Sequence, residues 1–162
     1  MEQEMNRIYQ KIAEIVNKMI PEEWESFHYY AQISATGGGT YFFYNTSDDK
    51  KKFMYSLSIT SYFNVDEEEF AILEKTLFKL SEELRDIFIH YGQEPWYSFT
   101  LSLDRNGKFK INYDYTNWFE TDYRFSKQIT IWKYKYLGII PTDEKQKDLI
   151  QKYLEEYPDN PI

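Results

Sequence analysis

Apolar residues recur at intervals of three and four in the first nineteen positions: Met5, Ile8, Ile12, Ile15 and Met19, with Val16 beside them. That spacing predicts an amphipathic helix over about residues 3–19, and Pro21 ends it. After the acidic residues Glu22, Glu23 and Glu25 the pattern turns strand-like. Phe27 to Ala35 and Tyr41 to Tyr44 read as two strands, and Thr36-Gly37-Gly38-Gly39-Thr40 between them as a hairpin turn. A third strand is expected from about Phe53 to Ile59, after a solvated turn of Asp48, Asp49 and Lys50 to Lys52. The strongest periodicity follows: Phe70, Leu73, Leu77, Leu80, Leu84, Ile87 and Tyr91 keep helical spacing for six turns. Asp66 is placed as an N-cap with Glu69 at the third helical position, and Gly92 and Pro95 stop the helix.

A second hairpin follows, and its register can be argued. Phe99, Leu101 and Leu103 alternate on one strand, and Phe109, Ile111 and Tyr113 on the other. A two-residue Asn106-Gly107 loop would pair Leu103 with Lys110 and put the two apolar sets on opposite faces. A three-residue loop with Gly107 left-handed pairs Leu103 with Phe109, so that all six share one face; this is the expected arrangement. Phe125, Ile129, Trp132 and Tyr136 predict a helix within 122–137, capped by Gly138, despite the strand propensity of Ile129-Thr130-Ile131. Leu149, Ile150, Tyr153 and Leu154 predict a last helix over about 142–157. The order α-β-β-β-α-β-β-α-α predicts one α+β domain spanning 1–162, an antiparallel sheet of strand meanders covered on one face by helices.

Composition narrows the function classes. The chain has 162 residues and no cysteine, which excludes thiol catalysis, Cys-based zinc sites and a disulfide scaffold. The start, MEQEMNRIYQ, lacks the basic and apolar runs of a signal peptide, and no apolar stretch is long enough to span a bilayer; the expectation is a cytoplasmic protein. The net charge of −8 falls entirely on residues 1–96, which hold 17 Asp/Glu and 9 Lys/Arg, while residues 97–162 hold 10 of each. Such a surface disfavours nucleic acid and anionic membrane and favours a basic protein partner, although acidic solubility alone accounts for the same balance.

Catalytic chemistry is hard to find. His28 lies in a strand among aromatics and His90 at a helix end, neither with metal-ligand spacing, so no metal or cofactor is expected. The triple glycine precedes a strand rather than a helix and lacks the following Lys-Ser/Thr of a P-loop. Glu94, Asp114, Glu120 and Asp122 near Trp96 and Trp118 leave open a small hydrolase working in an acidic cleft.

Several strings stand together in order: Ile20-Pro21-Glu22-Glu23-Trp24, Gly37-Gly38-Gly39, Glu82-Glu83-Leu84-Arg85, Glu94-Pro95-Trp96, Tyr113-Asp114-Tyr115 with Trp118, and Lys135-Tyr136-Leu137-Gly138-Ile139-Ile140-Pro141. The ordered set resembles the YezG/EsaG family of bacterial antitoxins, or immunity proteins, from the first helix to the last. The resemblance implies a cytoplasmic protein that binds the C-terminal effector domain of a secreted toxin, often a nuclease of the polymorphic or LXG-type class. It implies no cofactor and assigns no catalytic residue. For such a partner the acidic stretches are the candidate contacts: Asp66, Glu67, Glu68 and Glu69, then Glu82, Glu83 and Asp86. Glu94, Trp96, Asp114 and Trp118 are further candidates. Trp24, Trp96 and Trp118 read also as packing residues, and Asp114 reads either as a toxin-binding carboxylate or as an ordinary hairpin residue facing away from the apolar side. Oligomeric state is left open.

Overall fold

The computed structural model describes all residues from Met1 to Ile162. Its elements are α1 (Glu2–Met19), β1 (Ser26–Ser34), β2 (Gly37–Asn45), β3 (Met54–Tyr55), α2 (Ile59–Tyr62), α3 (Glu67–His90), β4 (Ser98–Asp104), β5 (Phe109–Asp114), α4 (Phe125–Leu137) and α5 (Glu144–Glu156). The five strands form one antiparallel sheet in the order β3-β2-β1-β4-β5. This is the α+β class the periodicities predict. No helix is long and apolar enough to cross a membrane.

The expectation that helices cover one face of the sheet does not hold. They cover both. On one face Phe27, Tyr29, Ala31 and Ile33 of β1, Phe42 and Tyr44 of β2, and Phe99 and Leu101 of β4 pack under α1 and α3. On the other, Tyr30 and Phe43 pack with Ile131, Trp132 and Leu137 of α4 and Ile150 and Tyr153 of α5. The physical reason is in β1, whose residues Tyr29 to Ile33 are buried without alternation, so each face carries apolar side chains that need a cover.

The α1–α3 layer follows its stripes. Ile8, Ile12, Val16 and Met19 meet Phe70, Leu77, Leu80, Leu84 and Ile87 over the sheet. Ser81, the one buried polar residue of α3, donates to Leu77 O at 3.0 Å and bonds the Tyr29 hydroxyl at 2.9 Å. The α4 layer is fixed by Trp132, which is fully buried and donates from Nε1 to Thr100 Oγ1 of β4 at 2.8 Å. Its ring lies against Tyr30, Phe43 and Tyr136. Gly138 closes α4 at φ +66°, the C-cap expected of it.

The glycine-rich segment is not the expected hairpin turn. The loop between β1 and β2 is Ala35-Thr36, and Gly37, Gly38 and Gly39 belong to β2, opposite Ser34, Ile33 and Gln32. Ala35 and Thr36 keep negative φ, a turn whose twist mismatches the strands, and Gly37 at φ +132° completes the reversal. A side chain on Gly38 would overlap the Gln32 carbonyl. The third strand is also shorter than expected. Met54 and Tyr55 pair with Tyr44 and Phe43, and then Ser56 Oγ accepts the Phe42 N–H at 3.1 Å in place of a ladder partner. The chain turns there into a single 3-10 turn and α2 rather than continuing to Ile59 as a strand.

The second hairpin has the three-residue loop, with Leu103 opposite Phe109 and Leu101 opposite Ile111. Asp104 N donates to Lys108 O at 3.1 Å, and Gly107 lies at φ +85°. A valine there would be held in a region that β-branched residues resist. Gly107→Val is therefore expected to cost about 1–2 kcal/mol, read as a lower urea midpoint at unchanged slope.

His28 lies beside Phe53, Trp132 and Tyr136, with Nδ1 2.6 Å from Ser102 Oγ. Burial depresses its pKa to about 4. The folded protein thus takes up this proton later than the unfolded chain does. Its contribution to stability is full above the ordinary histidine value, about 6.5, and is lost as pH falls through about 4. Allowing for partial exposure, wild type should lose about 2 kcal/mol more than His28→Gln between pH 7 and pH 4, measured by urea unfolding at both values.

Candidate protein-partner interface

The carboxylates singled out in the sequence lie mainly on α3. Asp66 is its N-cap: its Oδ1 accepts from Glu68 N at 3.0 Å and Glu69 N at 3.2 Å. That bond and the three glutamates at the positive helix end favour the start of the helix. From Asp66 to His90 there are eight carboxylates against Lys75, Lys79 and Arg85, so this one element carries −5 of the net −8. The buried stripe is one side of the cylinder; Glu67, Glu68, Glu82 and Asp86 are on the other, exposed.

The structure does not merge the two acidic stretches. Fifteen residues separate Glu67 from Glu82, about 22 Å along the axis at 1.5 Å per residue, and Lys75 and Lys79 lie exposed between them. Two carboxylates are already engaged: Glu69 pairs with Lys18 at 3.7 Å and Glu83 with Arg7 at 2.7 Å, both tying α3 to α1. Glu67, Glu68, Glu82 and Asp86 form no such pair. Ile72 and Ile89 stand beside them at 63% and 50% exposure. The three-and-four stripe of the sequence leaves these two residues out. The signal was present, since both fall outside the three-and-four series of the buried face.

The remaining sequence candidates fall elsewhere. Glu94 is exposed in the turn after α3. Trp96 is fully buried and packs edge-on against Phe99 at 4.9 Å, while Arg85 Nε donates to its carbonyl at 3.0 Å. Trp118 is buried against Tyr123, Tyr153 and Tyr157. Both tryptophans therefore act in packing. Trp24 is half-buried against Phe27 and donates to Asn17 Oδ1 at 2.9 Å.

Asp114 is 2% exposed, and its two oxygens are spent on the loop that follows it. Oδ1 accepts from Thr116 N at 2.9 Å and Oδ2 from Trp118 Nε1 at 2.6 Å. Burial raises its pKa above the usual carboxylate range; these bonds and the charge of Lys135 pull the other way. Glu94, Glu120 and Asp122 are exposed, so the four carboxylates of the hydrolase reading differ in burial and share no lining. The cavity beside Trp118, about 440 Å³, contains Asp122 as its one carboxylate, with Arg124 and the exposed Phe119 and Phe125. No three His, Asp or Glu side chains converge as a metal would require. Asp114→Ala strands the Trp118 indole N–H in the core, and is expected to cost about 2–3 kcal/mol, seen as a lower urea midpoint together with a red shift and quenching of tryptophan emission.

The exposed side of α3 thus offers carboxylates beside isolated aliphatic side chains, while Trp96 and Trp118 are withdrawn into the core. Residues 5–151 match the family described as YezG-like immunity protein. The chain is 36% identical over 150 residues to the immunity protein YezG of Bacillus spizizenii, covering 93% of this chain and 92% of the relative. It is 35% identical over 150 residues to the immunity protein YezG of Bacillus subtilis, covering 93% and 99%. Against the type VII secretion system protein EsaG of Staphylococcus aureus it is 33% identical over 156 residues, covering 96% and 94%. With agreement along nearly the whole of both partners, this chain belongs to the YezG-like family of immunity proteins.

Proposed function

We propose that this protein is a cytoplasmic antitoxin that binds and neutralises the C-terminal toxic domain of a cognate secreted toxin, a nuclease with a basic surface. Membership in an immunity-protein family along nearly the full chain carries the reading. The name of the staphylococcal relative, a type VII secretion system protein, supports a toxin exported by that route. The charge of −5 on Asp66 to His90 supports the nuclease, because an enzyme that grips a phosphate backbone must present cations, and these meet carboxylates favourably. On this reading the protein works without a cofactor, nucleic acid or membrane.

Charge should act on the rate of encounter and buried apolar contacts on the lifetime of the complex. The carboxylates to reverse are Glu67, Glu68, Glu82 and Asp86, which are exposed and unpaired; Glu83 is kept because its bond to Arg7 joins α1 to α3. Reversing these four to Lys is expected to slow association with the toxin domain roughly tenfold or more at low salt, to flatten the salt dependence, and to leave the melting temperature close to wild type. Stopped-flow association at two salt concentrations reads this, beside co-expression with the toxin for protection. Absence of both binding and protection would overturn the antitoxin reading. A tight complex whose on-rate ignores the reversals and the salt would remove only α3 as the interface.

A further inference from the structure

We propose, on the basis of the antitoxin role proposed above, that the cleft beside Trp118 is a receptor for an arginine side chain of the partner's basic surface. The cleft has a volume of about 440 Å³, within the roughly 300–1,000 Å³ range of pockets that enclose small ligands. It lies on the α4 face of the sheet, the face opposite α3. Steering by the α3 carboxylates acts through space at low salt, so the contact that holds the partner can sit on another face. Gln32 of β1 and Gln128 of α4 are the buried polar residues of the cleft, and Phe119 and Phe125 its rim at 58% and 37% exposure.

The cleft holds an acceptor that no protein group uses. Gln128 Nε2 donates to the Tyr123 carbonyl at 2.5 Å, which turns Gln128 Oε1 toward Gln32. Gln32 Nε2 donates to that oxygen and, at 2.7 Å, to the Tyr30 hydroxyl, so both of its N–H groups are engaged. Its own Oε1 is left over. Gln32 is 8% exposed, yet this oxygen is not sealed: the sealed side-chain atoms without a partner are Trp96 Nε1 and Ser98 Oγ. The carbonyl therefore opens into the cleft that Gln32 lines. A guest that brings an N–H donor satisfies it.

The other groups of the lining select the guest. The Trp118 indole, the Thr121 hydroxyl and the Tyr123 phenol already donate, to Asp114, the Trp118 carbonyl and Glu156. What remains for a guest is acceptor and aromatic ring: the Gln32 oxygen, the exposed Asp122 carboxylate, and Phe119 and Phe125. Tyr41 packs against Phe125 at 4.9 Å. Its hydroxyl takes the space left by Gly39, the ladder partner of Gln32, where a Cβ would lie 2.5 Å from it. A guanidinium fits this set, because it stacks on aromatic faces and directs several N–H donors from its edge. An anion would meet oxygen atoms instead. Asp122 is in no ion pair, and the net charge of −8 draws a cation. Arg124, exposed at the start of α4, is the one group of the lining that opposes such a guest.

The test is NMR titration of the full chain with acetyl-arginine amide, its neutral isostere acetyl-citrulline amide, and acetyl-tyrosine amide, following the Gln32 side-chain amide. Saturable shifts with the arginine probe, at lower concentration than with the other two, are expected. The Phe119→Ala, Phe125→Ala double variant should weaken arginine binding roughly fivefold or more, with its circular dichroism spectrum and melting temperature showing an intact fold. Asp122→Asn should weaken it and Arg124→Gln strengthen it. Phe109→Ala removes an exposed ring on the β4–β5 hairpin and should bind as wild type. With the toxin domain, the double variant should dissociate faster than wild type. Citrulline or tyrosine binding as well as arginine, weakening by Arg124→Gln, or a toxin that leaves wild type and double variant at the same rate would overturn the receptor. A chain that binds the arginine probe at this cleft but no toxin would overturn the antitoxin role while the arginine site stands.

Discussion

Tyr29 and Tyr30 are neighbours in the chain, yet one is buried under α3 and the other under α4. That back-to-back placement in the middle strand of the sheet is the constraint on which the remaining architecture rests. A strand with bulky side chains on both faces cannot leave either to water. Burial of one such ring is worth roughly 1.5–3 kcal/mol, so the absence of either helical layer would expose several at once. The two hydroxyls are satisfied differently: Tyr29 bonds Ser81 of the overlying helix, and Tyr30 accepts from Gln32 of its own strand. The α1–α3 layer is held largely by apolar stripes. The α4 layer relies more on placed polar contacts, Trp132 to Thr100 and the Gln32–Gln128 pair among them.

This asymmetry explains what could be read directly from the chain. The stripe of α3 is long, its cap is a local hydrogen bond, and the loop at Gly107 follows from the need to put six apolar side chains on one face. Each of these is decided by near neighbours. The two-sided cover was not legible from strand propensity, which does not register the lack of polar alternation from Tyr29 to Ile33. The glycines misled for a related reason. Three glycines between strand-forming runs predict a turn, whereas the loop is Ala35-Thr36 and the glycines serve the approach of one strand to the other. The third strand ended early through a bond between Ser56 and a residue fourteen positions away, a contact that no local pattern signals.

The candidate interface was legible in part. The carboxylates of α3 were visible as charge, and their exposure follows from the stripe opposite. Their division into two patches follows equally from the positions of Lys75 and Lys79. Burial of Trp96 and Trp118 depends on how distant segments close over them, so these residues read both as anchors for a partner and as packing groups. Asp114 shows the same limit. Its parity correctly turned it from the first apolar face, but that direction leads into a second core rather than to solvent. The buried aromatic residues hold the fold together, while free carboxylates face outward with isolated apolar side chains, among them Ile72, Ile89, Phe119 and Phe125.

The bond from Trp132 to Thr100 spans 32 residues of chain. At a synthesis rate of about 5–20 residues per second, that interval lasts roughly 2–6 seconds, with β1, β2 and β4 already made. During it no complete α4 or α5 exists to cover Tyr30 and Phe43 on their side of the sheet. The second face of the sheet is thus the last part of the fold that can close, once α4 and α5 exist to cover it.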